Sequence, residues 1–286
     1  MTSPRVLLSA WDLHPKKQLG QNFLADPSTA GMIIERSGIS PGDAVLEIGS
    51  GLGALTLPAA SVASRVIAVE TDRKIADLLQ TELLAGDISN VEIIRRNILD
   101  VDIEKTVAGE NKKIIVIGNL PYNISSQILV QLINARTVIS RAVVMFQKEL
   151  AERLVADPGG KQYGRITVML GYCADIKSVA VVKARMFYPR PRVDSEVLEI
   201  RFKEKIAHPA ADETFLFKVI KAAFGKRRKT LKNALSRSQL GLDAPTTVRA
   251  LEAAAIDPVR RAETLTVDEF VQLSNTIKVS LRPDVL

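Results

Sequence analysis

Ala44-Val45-Leu46-Glu47-Ile48-Gly49-Ser50-Gly51-Leu52-Gly53 runs from an apolar, strand-like segment straight into three alternate glycines. The first five residues read as a buried strand. The glycines permit a tight turn and a close backbone approach to a ligand, and a helical pattern follows over Ala54–Ala63. The spacing is G-x-G-x-G rather than the G-x-G-x-x-G of a dinucleotide fingerprint. A turn of purely structural purpose therefore stays open beside a nucleotide-type ligand.

Outward from this turn the pattern repeats. Strand candidates Val66–Val69, Val91–Ile94, Ile114–Ile117 and Ala142–Phe146 alternate with helical stretches at Arg73–Leu84, Ser125–Asn134 and Lys148–Ala156. Such alternation predicts a parallel, doubly wound α/β sheet. Two further strand candidates, Ile176–Val182 and Val193–Phe202, flank Phe187-Tyr188-Pro189-Arg190-Pro191, and Asp26-Pro27 reads as the cap and first turn of a helix. Residues 1 to 14 look weakly specified and are expected to be flexible. A polar stretch from Glu204 to Asp212 reads as a linker, and only helical patterns follow Glu213. The division expected is 1–204 and 205–286, the second part all-helical.

The composition narrows the class. The chain has 286 residues, 47% of them hydrophobic, enough for a sizeable core. Lys+Arg 39 against Asp+Glu 32 gives +7, a balance that permits a polyanionic partner. A single cysteine, Cys173, excludes an intrachain disulfide, and with only His14 and His208 it makes no Cys/His metal cluster. There is no signal-peptide pattern and no apolar run of membrane-spanning length. A cytoplasmic protein with no membrane and no metal partner is expected, with a monomer as the working expectation.

Three strand ends carry polar groups suited to a nucleotide. Glu70 ends the second strand, where a carboxylate can accept bonds from two ribose hydroxyls. Asn97 follows the third, where a polar side chain can meet an adenine amino group. With the glycine turn these suit NAD and S-adenosylmethionine equally. Asn119-Leu120-Pro121-Tyr122, after the apolar run Ile114–Ile117, tips the balance to S-adenosylmethionine. The amino nitrogen of adenine is a poor nucleophile because its lone pair is delocalised into the ring. The Asn119 amide oxygen and a backbone carbonyl can accept its two N–H bonds and turn a lone pair toward a methyl donor. Pro121 fixes φ and biases Leu120 to an extended shape, and Tyr122 offers a stacking face. The same four residues also suit an ordinary turn. Phe187 can supply a second aromatic wall, or simply a core phenylalanine in a proline-rich connection.

Lys226-Arg227-Arg228-Lys229-Thr230-Leu231-Lys232 places five cations in seven residues. Beside a base-handling motif and a positive net charge it reads as a phosphate-contacting surface, to which Lys16 and Lys17 can add; a solvated face is the plainer alternative.

Six elements in order resemble the KsgA family of ribosomal RNA adenine N6,N6-dimethyltransferases. They are Lys17 to Leu24, Leu46 to Gly53, Asn119 to Ser125, Gln147 to Arg153, Phe187 to Ser195 and Arg227 to Leu231. The resemblance implies a class I S-adenosylmethionine-dependent methyltransferase fold, Rossmann-like, with a mostly parallel seven-stranded sheet and a small helical C-terminal domain. It implies two methyl transfers to each of two adjacent adenosines near the 3′ end of 16S-type rRNA in the small ribosomal subunit. Asn22, Leu24, Gly49, Glu70, Asn97 and Asn119 would line the cofactor site. Asn119, Leu120 and Tyr122 would hold the target amine, Phe187 would stack on the base, and Lys226, Arg227, Arg228, Lys229 and Lys232 would contact RNA. The chain departs from the family at Asn97, where Asp is common, at Ser50, where Pro is usual, and at Gly171, where Gln is common. The reaction expected is direct in-line displacement with no covalent enzyme intermediate. An Erm-type enzyme acting on large-subunit rRNA, a non-catalytic RNA-binding assembly factor and an NAD-dependent oxidoreductase are the rivals.

Overall fold

The strand β2 (Ala44–Ile48) is buried along its whole length, as a strand covered by helices on both faces must be. It is the third strand across a seven-stranded sheet in a computed structural model that describes residues 2–226 and 228–281. The chain first forms helix α1 (Pro4–Ala10), the two-residue strand β1 (Phe23–Leu24) and helix α2 (Pro27–Ser37). After β2 come α3 (Thr56–Ala60), β3 (Arg65–Val69), α4 (Arg73–Ala85), β4 (Val91–Ile94), α5 (Ile103–Thr106), β5 (Ile114–Asn119), α6 (Ser125–Asn134), β6 (Ile139–Gln147) and α7 (Lys148–Leu154). Then follow α8 (Arg165–Cys173), β7 (Ala174–Val182), β8 (Phe187–Tyr188) and β9 (Ser195–Phe202).

The sheet order is β4-β3-β2-β5-β6-β9-β7. The pairs β4–β3, β3–β2, β2–β5 and β5–β6 are parallel, and β6–β9 is antiparallel. The chain winds from β2 outward to β4, then crosses back to begin the other half at β5. That reversal leaves a crevice at the carboxyl ends of β2 and β5, where open α/β sheets bind their ligands. The glycine turn leaves β2 there, and Asn119 ends β5 there. Helix α2 begins as the sequence predicts: Asp26 accepts from the Thr29 backbone N–H at 2.8 Å with Pro27 in the first turn.

The leading segment is more structured than expected. Residues Pro4 to Ala10 are helical, with Leu7 and Leu8 buried against Phe23, Leu52, Ile75 and Leu78. Two buried leucines in a seven-residue helix are too weak a pattern to read from the sequence; tertiary burial supplies the order.

The helical part comprises α8, α9 (Glu213–Phe224), α10 (Leu231–Leu235), α11 (Ala244–Ala253) and α12 (Val267–Ser280). No strand occurs among the described residues after Phe202, as expected. The chain divides into two compact units. One holds residues up to Ala151 together with Asp175–Phe202, and the other holds Glu152–Ala174 with the chain from Lys203 onward. The sequence division at 204/205 misplaces residues 152–174. Helix α8 is buried along most of its length and packs on α9 and α12. Gly171 on α8 lies where a Cβ would come within 3.2 Å of Val267 Cγ2, so a longer residue there would press on the start of α12. No helix among the described residues is long and apolar enough to cross a membrane.

Candidate active site

The glycine turn is held open by backbone bonds. Gly49 and Ser50 both donate to the Val69 carbonyl, at 2.9 and 3.2 Å, which fixes the turn to the end of β3. Gly49, Gly51 and Gly53 have φ of 74°, 54° and 85°, values that side chains other than glycine rarely adopt. At Gly53 a Cβ would also lie 2.7 Å from Leu79 Cδ1.

Glu70 cross-ties this turn. Its Oε2 accepts from the Gly51 N–H at 2.9 Å and its Oε1 from the Asp72 N–H at 2.8 Å. Each carboxylate oxygen has capacity for a further bond, so both can still take a ligand hydroxyl. The side chain is 7% exposed; burial raises its pKa, the Asp72 charge adds to that, and the two backbone donors oppose it. Asp72 caps α4 by accepting from Lys74 N–H at 3.2 Å and bonds Lys16 Nζ at 2.8 Å and Gln21 Nε2 at 3.1 Å. Burial works against its charge, but those two partners hold its pKa below the ordinary value. Lys16 is therefore engaged in an ion pair that pins the leading segment, a role the sequence reading did not foresee; Lys17 is exposed.

Across the crevice, Asn119 donates Nδ2 to the Asn22 carbonyl at 2.8 Å, while its Oδ1 is buried with no hydrogen-bond partner among the described residues. Asn22 donates its own Nδ2 to the Gly20 carbonyl at 3.2 Å. Gly118, just before, lets β5 approach β2: a Cβ there would sit 2.5 Å from the Ile48 carbonyl oxygen. Leu120 is 1% exposed, its side chain in the core and its N–H bonded to the Met145 carbonyl at 3.2 Å. The Ser125 hydroxyl donates to the Pro121 carbonyl at 2.8 Å, which stiffens the turn into α6. Tyr122 is half-buried, its Oη 3.3 Å from Ser195 Oγ, and burial raises its pKa.

One cleft gathers Asn22, Leu24, Gly49, Ser50, Glu70, Asn97, Asn119 and Pro121. All six residues expected to line a cofactor site are therefore brought together. Asn97 caps the short turn Ile98–Asp100 by accepting from the Leu99 N–H at 3.1 Å. Phe187 stands apart. It is 4% exposed, its β8 strand pairs with β1 in the register Leu24↔Phe187, and it packs with Leu24, Met145 and Val197. The reading of Phe187 as a core residue is the one this structure displays. Lys226, Arg228, Lys229 and Lys232 are exposed and joined by no ion pair among the described residues, and Arg227 lies outside them.

The sequence reading missed Glu47. It lines the same cleft and is 1% exposed, with Thr56 Oγ1 donating to it at 2.5 Å. Burial first, and the Glu70 charge second, push its pKa up to about 8 against the pull of Thr56. Ser50 Oγ, also in this cleft, is buried without a partner among the described residues. A carboxylate at the end of a buried strand was the available signal for Glu47. No group of three or more His, Cys, Asp or Glu suited to a metal occurs among the described residues.

A family model described as ribosomal RNA adenine dimethylase matches residues 13–278. The chain is 52% identical to the ribosomal RNA small subunit methyltransferase A of Desulforapulum autotrophicum over 97% of both chains. A dimethyladenosine transferase crystal structure from Plasmodium falciparum superposes with a TM-score of 0.73 at 26% identity, covering 88% of this chain and 95% of that one. The 23S rRNA methyltransferase ErmE shares the fold, with a TM-score of 0.66 at 24% identity over 90% of this chain and 100% of that one.

Proposed function

Because the chain belongs to the ribosomal RNA adenine dimethylase family, we propose that it dimethylates the N6 amino groups of two adjacent adenosines near the 3′ end of small-subunit rRNA, with S-adenosylmethionine as donor. The observation that carries this reading is Asn119: a buried amide oxygen without a partner, held in place through its own Nδ2. The printed name of the relative at 52% identity favours the small subunit over the large one. A place in small-subunit biogenesis in the cytoplasm is part of the same reading.

The cleft fits the donor on two counts. Ser50 Oγ and Asn119 Oδ1 are buried polar atoms lacking partners among the described residues, an unfavourable condition that a polar ligand relieves. Glu70, a carboxylate among the lining residues with acceptor capacity left on both oxygens, suits a ligand that brings hydroxyl donors. S-adenosylmethionine, when bound, supplies a methyl made electrophilic by its positive sulfonium. Glu70 would hold the ribose, Gly49 and Ser50 would admit the chain of the amino acid moiety, and Asn97 would face the adenine. Asn119 Oδ1 and the Leu120 carbonyl would accept hydrogen bonds from the target amine's two N–H groups and orient its lone pair. Tyr122 would stack on the extruded base, since an adenine in a helix must leave its stack to reach the cleft. Phe187 would join as a second wall only if its ring left the core. The rest of the catalysis is positioning and exclusion of water.

The test is incubation with labelled S-adenosylmethionine and purified, undermethylated small subunits, then mapping of modified adenosines. Dimethylation of two neighbouring adenosines near the 3′ end is expected. Label on large subunits alone would point to the Erm-type activity, and donor binding with no methyl incorporation would point to an assembly factor.

A further inference from the structure

Helix α6 buries Ile128, Leu129, Leu132 and Ile133, and among them it carries one amide whose donors are fully spent. Gln131 Nε2 donates to the Ile98 carbonyl at 2.9 Å and to the Val101 carbonyl at 2.7 Å. An amide nitrogen has two hydrogens, so neither is left over. The two carbonyls fix which way round the amide lies, because the flipped form would set oxygen against oxygen. Gln131 Oε1 is buried with no partner among the described residues. An apolar side chain of the same length would pack without that unpaired acceptor, so packing does not account for a glutamine here.

The two carbonyls bracket the short turn Ile98–Asp100. Within the turn, Asp100 N–H donates to the Asn97 carbonyl at 2.9 Å and Val101 N–H to the Ile98 carbonyl at 3.0 Å. Gln131 closes it from outside. Asn97 and Ile98 line the cofactor cleft, whereas Gln131 is not among its lining residues.

Asn97 is the residue that depends on the clamp. Its Oδ1 accepts from the Leu99 N–H at 3.1 Å, a donor inside the bracketed segment. That bond tells Oδ1 from Nδ2. An oxygen held so can accept from the 6-amino group of adenine and repels the 6-oxo group of hypoxanthine. An aspartate, common here in the family, presents two like oxygens and has no wrong way round. An asparagine reads the base only when its amide is held in one orientation.

We propose that Gln131 is a positioning residue for the base of the methyl donor: by clamping the turn 98–101 it keeps Asn97 Oδ1 toward a 6-amino group, which makes the donor site selective for adenine over a 6-oxopurine. This rests on the reading of S-adenosylmethionine as donor with its adenine facing Asn97.

The experiment is titration calorimetry on the full chain with S-adenosylhomocysteine and with S-inosylhomocysteine, beside melting temperatures. Wild type is compared with Gln131→Met, which keeps the unbranched length and loses the donors, and with Gln131→Lys, which keeps donors. Wild type is expected to prefer the adenosine compound. Gln131→Met should bind it about three- to tenfold more weakly, the worth of one oriented hydrogen bond, and the adenosine-to-inosine preference should shrink by a similar factor. Gln131→Lys should restore the preference. If Gln131→Met keeps the wild-type preference, loses affinity for both compounds equally, or does not fold, Gln131 serves the fold alone and the proposal is overturned. If wild type binds both compounds equally, the proposal falls while the donor reading stands. If wild type binds neither, the donor reading falls and takes the proposal with it.

Discussion

The amide of Asn119 donates to the backbone carbonyl of Asn22 at 2.8 Å, joining residues 97 positions apart. That bond settles which end of the amide is left over, and the remaining Oδ1 is the acceptor proposed for the target amine. Asn119→Ala removes it, and removal of one such positioned group lowers the rate by about 10²–10³. Single-turnover methyl transfer should show this loss with little change in melting temperature. A wild-type rate would remove Asn119 from the reaction.

Glu70 ties the glycine turn to the start of α4 through Gly51 and Asp72, and is proposed to hold the ligand's ribose as well. Glu70→Ala leaves two backbone N–H groups without an acceptor as well as the ribose. Titration calorimetry with S-adenosylhomocysteine should give a dissociation constant at least tenfold higher, about 1.4 kcal/mol. Glu70→Gln, which keeps one acceptor oxygen, should fall between. Equal affinity in all three proteins would show that the carboxylate does not touch the ligand.

Ser50 separates binding from stability. Its hydroxyl is 4% exposed and has no partner among the described residues. Ser50→Ala removes an unsatisfied polar group, so the ligand-free protein should melt at the same temperature or higher. Donor affinity should drop by about 0.5–1.5 kcal/mol, the worth of one hydrogen bond. A variant that binds the donor as tightly as wild type would mean that Ser50 is only part of the turn.

Glu47 makes a pH signature. Its pKa is pushed up to about 8 by burial and by Glu70, against 4.5 for an ordinary glutamate. Between those values the native state holds a proton that the unfolded chain has released, so this group's contribution to stability falls as pH rises through the window. Urea midpoints of wild type should therefore decline from pH 5 to pH 8 more steeply than those of Glu47→Gln. Parallel curves would show that Glu47 is not protonated in the native protein.

Gly118 tests the strand approach. A Cβ placed 2.5 Å from the Ile48 carbonyl oxygen forces β5 and β2 apart at the crevice. Gly118→Ala should cost about 1–3 kcal/mol, read from denaturant unfolding. Donor binding should weaken as well, because Asn119 ends one of the two strands being separated and Gly49 directly follows the other. An undisturbed midpoint would contradict the closeness of this contact.

The sheet was legible because its signals are local. Ala44–Ile48, Val91–Ile94 and Ser125–Asn134 fall where apolar runs and helical periodicity put them. Edges drifted where burial extends an element past its apolar run, as in Ile114–Asn119 and Ile139–Gln147. Asn119, Glu70 and Asn97 were readable because strand ends in such a sheet point to one crevice. What could not be read depends on distance in space. The Asn22 carbonyl, the Lys16–Asp72 pair and the squeeze at Gly118 link residues far apart in sequence. The burial of Phe187 and the displacement of α8 follow from packing, which a list of motifs does not contain.

The chain enters the helical unit at Glu152, leaves it at Ala174 and returns at Lys203. A C-terminal piece cut at Lys203 would leave α8 behind and bare the apolar sides of α9 and α12 that it covers. During synthesis the order of events is reversed. Helix α8 emerges from the ribosome some forty residues before α9, and at about 5–20 residues per second it waits a few seconds for a surface to pack on. A newly made copy of this enzyme thus carries an uncovered greasy helix past the very class of particle it is proposed to modify, until residues up to 224 have emerged to cover it.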